Sequence, residues 1–161
     1  MTRHAELRQA FGHFGTGVAI IGLHNRDNQP VGLTINSFAS VSLEPALLSW
    51  CLANDSQLFD DVANAEHFSV NILAADQIEL SGRMAGSSSH VFKAEELDET
   101  DTKAPVLRGA LAQFDCHVHH KVQAGDHLML IGGIDAARQC AQGRAPLIYF
   151  RGNYAALADG S

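Results

Sequence analysis

The sequence predicts a mainly β chain with flanking helices, folded as a small antiparallel barrel. Three observations predict it. β-Branched apolar runs are separated by short polar turns, helical spacing is confined to a few short segments, and no strand–helix–strand rhythm is sustained across the 161 residues. A doubly wound parallel sheet would need that rhythm.

The elements follow in order. Leu7, Ala10, Phe11 and Phe14 recur at helical spacing behind a polar start, so residues 2–14 read as an amphipathic helix that ends at Gly15 and whose apolar face covers something. Val18-Ala19-Ile20-Ile21 reads as a strand, Asn25-Arg26-Asp27-Asn28 as a polar turn, and residues 31–35 as the return strand of an antiparallel hairpin. Further strands are expected at 46–52, 68–73, 110–122, 128–137 and 146–150, with the runs at 110–137 and 146–150 facing one another across short turns. Helices are expected near 56–64 and 75–85, the first capped by Asp55 or Ser56. Gly86-Ser87-Ser88-Ser89 and residues 98–103 are polar enough for mobile surface loops. No repeat or low-complexity tract divides the chain, so 1–161 reads as one domain.

Composition narrows the function. Eleven Lys plus Arg against eighteen Asp plus Glu give a net charge of −7, with 46% hydrophobic and 18% charged residues, as in an ordered globular chain. A chain of this length buries roughly 68–70% of its unfolded surface, enough for a core without disulfides or structural metal. The acidic balance leaves no basic stripe to neutralise phosphates, which argues against nucleic acid and anionic membranes as main partners. Cys51, Cys116 and Cys140 are odd in number and lack CxxC spacing, which fits a reducing cytoplasm rather than a disulfide framework or a thiol redox motif. The apolar stretch 17–23 is short, bounded by Thr16 and His24, and followed by no small-residue cleavage site, so neither a signal peptide nor a membrane span is expected there.

The common catalytic motifs are missing: there is no GxGxxG, Walker loop, GxSxG, HExxH or EF-hand loop. Any nicotinamide or flavin is therefore used outside a Rossmann fold. The informative stretch is Gly32-Leu33-Thr34-Ile35-Asn36-Ser37-Phe38-Ala39-Ser40-Val41-Ser42, where a strand runs into hydroxyls and amides with few charges. Such a segment either satisfies its own backbone through side-chain turns or offers neutral donors and acceptors to a flat polar heterocycle. Cys116-His117-Val118-His119-His120 raises a metal site as a rival. Strand alternation puts Phe114, Cys116, Val118, His120 and Val122 on one face and Asp115, His117, His119 and Lys121 on the other. Asp115, His117 and His119 make at most a partial ligand set, and no second cluster has complementary spacing, so no metal is expected.

Gly32-x-Thr34-x-Asn36-Ser37-Phe38-x-Ser40-Val41-Ser42-Leu43-x-Pro45 resembles the signature of the flavin reductase-like family, whose fold is the FMN-binding split barrel. Phe14-x-Thr16-Gly17-Val18-Ala19-Ile20 is similar to its opening helix-to-strand segment, and Phe68-x-Val70-Asn71-Ile72-Leu73 with Asp76-Gln77 to its middle strand and helix. Gly125-Asp126-His127-x4-Gly132 resembles the motif associated with nicotinamide use, and Pro146-Leu147-x-Tyr149-Phe150-Arg151-Gly152-x-Tyr154 closes the pattern. The blocks stand in the family's order over nearly the whole chain, while Pro45-Ala46 departs from the usual Pro-Pro.

The resemblance implies a homodimeric antiparallel split β-barrel that transfers a hydride from NADH or NADPH to FMN or FAD and supplies reduced flavin to a separate monooxygenase. The alternative it leaves is a split-barrel protein that holds flavin or haem without turnover. Carried over residue by residue, it puts Thr34, Asn36 and Ser37, with the backbone around Ser40 and Val41, along the pyrimidine and dimethylbenzene portions of the flavin. Neutral donors there would stabilise charge that builds at the N1 and O2 end on reduction. Cys51, Asn54 and Ser56 would precede a helix whose first amides suit the ribityl phosphate, with Asp55 capping that helix and pointing away. Arg83 and Lys93 are the cations placed to face phosphate, or else solvated surface charges. His127 is the catalytic position, contacting nicotinamide or flavin, unless it only bonds Asp126 in a turn. Tyr154 would stack on nicotinamide or adenine, or else join the core. Hydride transfer to a flavin requires no acid or nucleophile from the protein, which agrees with the missing motifs.

Overall fold

The computed structural model describes residues 2–86, 89–140 and 143–157; Ser87 and Ser88 of the expected polar loop lie outside the described residues. The first helix, α1 (Arg3–Phe11), opens on Thr2, whose hydroxyl accepts from the Ala5 N–H at 3.4 Å, and ends at Gly12, whose N–H bonds the Arg8 carbonyl at 2.9 Å. It stops short of the predicted residue 14. None of its residues is buried, and Leu7, Phe11 and the following Phe14 are 43%, 72% and 79% exposed. The expectation that its apolar face covers something is therefore not met within a single described chain.

The strands are β1 (Thr16–Gly17), β2 (Ala19–His24), β3 (Pro30–Ile35), β4 (Ala39–Leu43), β5 (Ala46–Ala53), β6 (His67–Ile72), β7 (Ala112–Ala124), β8 (His127–Gln139), β9 (Ile148–Phe150) and β10 (Asn153–Ala155). Helix α2 (Phe59–Asn64) follows β5, and a single 3₁₀ turn at Ala75–Gln77 leads into α3 (Ile78–Ala85). Among the described residues these strands form a seven-stranded sheet in the order β3-β2-β6-β7-β8-β5-β4 and a three-stranded sheet in the order β1-β9-β10. Every named ladder is antiparallel.

The connection between β3 and β4 explains the barrel. These strands are opposite edges of the large sheet, yet only residues 36–38 separate them in the chain. Three residues span little more than about 10 Å even when extended. The sheet must therefore curl until its edges approach, leaving a split bridged by Asn36, Ser37 and Phe38. Phe38 stacks on Phe114 of β7 with ring centres 6.0 Å apart, which fixes the bridge to the barrel wall.

Two apolar clusters fill the fold. Ile21, Leu48, Trp50, Phe68 and Leu130 pack inside the curled sheet, with Trp50 edge-on to Phe68 at 5.6 Å. Val18, Ile20, Leu73, Met84, Phe92 and Leu147 form the second cluster, under α3. Since Ile20 and Ile21 of β2 belong to different clusters, both faces of this strand are covered, which is why its sequence is a continuous apolar run. By contrast β5 alternates buried and half-buried residues, as a strand with one core face does.

Two expectations are corrected. The segment 146–150 does not face the long hairpin, because Leu147 bonds Leu73 and β9 pairs with β1 and β10 instead. The strict face assignment along β7 also fails beyond Val118, which pairs with Gly132 while His120 pairs with Ile131, so His119 is an extra residue that resets the alternation. His117 Nδ1 lies 2.8 Å from Asp135 Oδ1, and among the described residues no group of three His, Cys, Asp or Glu is arranged to hold a metal ion. Among them, too, no helix is long and apolar enough to cross a membrane.

Candidate active site

Two adjoining clefts open beside the end of β3 and the bridge that follows it. The first, about 460 Å³, is lined by Thr34, Asn36, Ser37, Cys51, Ser56 and His127 together with Leu33, Ile35, Leu52, Met84, Ala85 and His90. The second, about 420 Å³, is walled by Tyr149, Asn153 and Tyr154 and shares Thr34, Ile35, Asn36 and Ala85 with the first. The end of β3 is thus the common wall of both. Volumes of this order suit small planar ligands.

Ser37 is fixed by the strand beside it: the Cys51 N–H donates to Ser37 Oγ at 3.0 Å, and the hydroxyl returns to the Cys51 carbonyl at 3.3 Å. Thr34 Oγ1 donates to the Ser81 carbonyl at 2.8 Å and so ties the common wall to α3. Ser81 is fully buried, and its hydroxyl lies 2.8 Å from the Tyr154 hydroxyl in the second cleft. Tyr154 also packs edge-on against Tyr149 at 5.8 Å, so it serves both the core and the cleft wall. His127 opens β8, paired with Ala53 of β5 and Ala124 of β7, and its Nδ1 lies 2.7 Å from Asp126 Oδ1. That bond leaves Nε2 as the ring's remaining polar atom. The same hydrogen bond, with the imidazole's charge, holds the exposed Asp126 carboxyl below the usual carboxylate range. Burial pushes the Cys51 thiol up.

Other residues stand elsewhere. Ser40 and Val41 lie on β4 at a register shift, both exposed, and line neither cleft. Asn54 turns its side chain to the β7–β8 turn, receiving Gln123 Nε2 at 3.1 Å on its own oxygen. Helix α2 starts at Phe59, later than expected, and has Leu58 at its cap without a side-chain bond. Ser56 instead accepts the Leu58 N–H at 3.3 Å, and Asp55 lines the first cleft rather than pointing away. Arg83 is committed to Glu96 and to the Val91 carbonyl, and Lys93 is exposed outside both clefts, so neither cation reaches the walls.

His90 also lines the first cleft. Its ring Nδ1 lies 2.9 Å from the Gly32 carbonyl and its own carbonyl receives the Gly32 N–H at 2.8 Å, so residues 90–92 run along the outer edge of β3. Gly32 permits the approach: a Cβ there would stand 2.4 Å from Phe92 Cζ. No local pattern marks His90, since only pairing with a distant strand brings it to the cleft.

The model of the flavin reductase like domain family matches residues 11–158 of this chain. The chain belongs to that family. A relative from Acinetobacter baylyi, the reductase component of a flavin-dependent trigonelline monooxygenase, is 41% identical over 97% of this chain, which spans half of that relative's length. A flavin reductase solved in its native state superposes with TM-score 0.87 at 34% identity, covering 99% of this chain and all of its own. The NADH:FAD oxidoreductase of Streptomyces globisporus C-1027, solved in complex with NAD and FAD fragments, superposes with TM-score 0.88 at 28% identity, covering 99% and 95% of the two chains.

Proposed function

We propose that this chain is an NAD(P)H-dependent flavin reductase that reduces FMN or FAD and hands the reduced flavin to a separate monooxygenase. The observation that carries the reading is the shared wall: Thr34, Ile35 and Asn36 border both clefts, so two flat ligands lodged in them would meet across the end of β3. The first cleft fits a flavin by its chemistry. Neutral Asn36, Ser37, Ser56 and Gln57 alternate with apolar Leu33, Ile35, Leu52 and Met84, the mixture that a heterocycle with one polar edge requires. Bound there, a flavin supplies two-electron redox chemistry that the side chains lack.

The chain's own residues bind, orient and exclude water. Asn36 would offer its amide to the heterocycle's polar edge, while Ser37, fixed by Cys51, holds the bridge in place. His127, oriented through Nδ1 by Asp126, presents Nε2 to the ligand. Tyr154, anchored on Ser81, supplies a face for nicotinamide in the second cleft. Such positioning is the protein's main contribution to hydride transfer.

The active form is proposed to be a homodimer. The exposed apolar residues Phe11 and Phe14 near α1 and Leu43 on edge strand β4, the last 93% exposed, are the surface it would cover. Flavin affinity that falls on dilution supports this, and a monomer that still binds flavin tightly refutes it. The activity is tested by mixing the protein anaerobically with FMN or FAD and then NADH or NADPH. Repeated bleaching of flavin absorbance is expected; flavin that binds yet stays oxidised with both nicotinamides would leave only a binding protein.

A further inference from the structure

A third cleft, about 530 Å³, lies between α1 and the β9–β10 turn and is lined by Arg8, Gln9, Gly12, His13, Arg151 and Gly152. Every titratable group on its wall is basic, in a chain of net charge −7. Arg26, Arg83, Arg108 and Arg144 are each matched to a carboxylate, whereas among the described residues Arg3, Arg8, Arg138 and Arg151 form no ion pair, and two of these four, Arg8 and Arg151, line this groove together. The groove is built by specific contacts. Arg151 adopts a left-handed φ of 50°, donates its N–H to the Gly12 carbonyl at 2.9 Å, and sets its guanidinium 5.1 Å from the centre of the Phe150 ring. His13 Nδ1 lies 2.9 Å from the Gln9 carbonyl. Gly152 borders both this groove and the Tyr154 cleft, so the two lie on either side of the β9–β10 turn residue.

We propose that the Arg8–His13–Arg151 groove is a subsite for the diphosphate of a dinucleotide whose ring end lies in the adjoining clefts. The proposal rests on the hydride-transfer reading above. Guanidinium forks match phosphate oxygens in geometry and charge, and two guanidinium groups without carboxylate partners on the wall of one groove favour an anion between them.

The test uses an Arg8→Gln/Arg151→Asn double variant, Asn being tolerated in the left-handed region. With FMN as acceptor, which has no diphosphate, the KM for NADH is expected to rise about tenfold with little change in kcat, as loss of charge-assisted bonds predicts. Reduced nicotinamide mononucleotide, which also lacks a diphosphate, should be nearly unaffected. A rise confined to the KM for FAD supports the subsite but assigns it to the flavin's diphosphate. Unchanged KM values for both NADH and FAD overturn the proposal, as does an equal rise in Arg3→Gln, which removes a charge from α1 outside the groove. Calorimetric titration with ADP-ribose reads the groove without turnover. Wild-type protein that binds ADP-ribose, more weakly in the double variant, but never oxidises NADH refutes the reductase reading and leaves the subsite standing; wild-type protein that does not bind it overturns the subsite.

Discussion

The Tyr154 hydroxyl lies 2.8 Å from Ser81 Oγ, while the Ser81 carbonyl accepts Thr34 Oγ1 at the same distance. One fully buried serine on α3 therefore links the wall shared by the two clefts to the aromatic wall of the second. Tyr154→Phe leaves the Ser81 hydroxyl buried without this partner, and the expected loss of stability is about 1–2 kcal/mol by denaturant unfolding. Adding Ser81→Ala should recover part of that loss, because both polar groups are then gone. A strictly additive double variant would show that the two hydroxyls are not coupled.

His127→Ala is expected to lower kcat/KM for the nicotinamide substrate by roughly tenfold or more while leaving thermal stability near wild type, since the ring is half exposed and held mainly by Asp126. Steady-state kinetics with flavin saturating would check this. Full activity in the variant would remove His127 from the reaction.

The Asp126 carboxyl has a depressed pKa because His127 bonds it and the imidazole charge favours its ionised form. A depressed acid contributes stability above its unfolded pKa and loses it as pH falls through the lower, folded value. Asp126 should therefore stay ionised through the neutral and mildly acidic range, where the pH profile carries no step from it. NMR titration should find its pKa restored toward the ordinary carboxylate range in His127→Ala, and an unchanged low value there would mean that something other than His127 holds it.

Thiol reactivity should follow burial. Cys116 is fully buried in the core, and desolvation pushes its pKa up to about 12, so it should react with iodoacetamide only after unfolding. Exposed Cys140 should be alkylated first, and half-buried Cys51, in the first cleft, more slowly and more slowly still with flavin present. Mass spectrometry of labelled peptides gives the order; flavin that leaves Cys51 labelling untouched would place the flavin elsewhere.

Gly32→Ala should cost about 1–3 kcal/mol, because the new methyl meets the Phe92 ring and pushes residues 90–92 off β3. Since His90 travels with that segment, flavin affinity should fall as well. Denaturant unfolding and flavin fluorescence titration measure the two effects, and a variant as stable as wild type would show that the ring moves aside freely.

Much of this architecture was legible from residue pattern alone. The hairpin of β2 and β3 announced itself through β-branched runs around a polar turn, and the alternation of β5 is that of a strand with one core face. Strand β4 alternates apolar Ala39, Val41 and Leu43 with Ser40 and Ser42, but those apolar side chains are exposed and the register shifts between Ser40 and Ser42, so the hydroxyl-rich run reads equally as a loop. The partnerships of Arg83 with Glu96 and of Gly32 with His90 form only after folding, and nothing in local spacing predicts them. Thr34, Asn36, Ser37 and His127 stand in the blocks that resemble the family while Cys51 and Ser56 lie outside them; all six line the first cleft, and composition alone leaves residues 32–42 open to a self-satisfied loop.

The central claim is that the two clefts sharing the end of β3 bring nicotinamide and flavin together for direct hydride transfer. Anaerobic stopped-flow mixing of flavin-loaded protein with NADH carrying deuterium at the transferred C4 position tests it most directly. The account predicts rapid loss of flavin absorbance, slowed by deuterium and by the loss of the His127 side chain. Flavin that remains oxidised, or that bleaches at the same rate with either isotope and either form of residue 127, would contradict it.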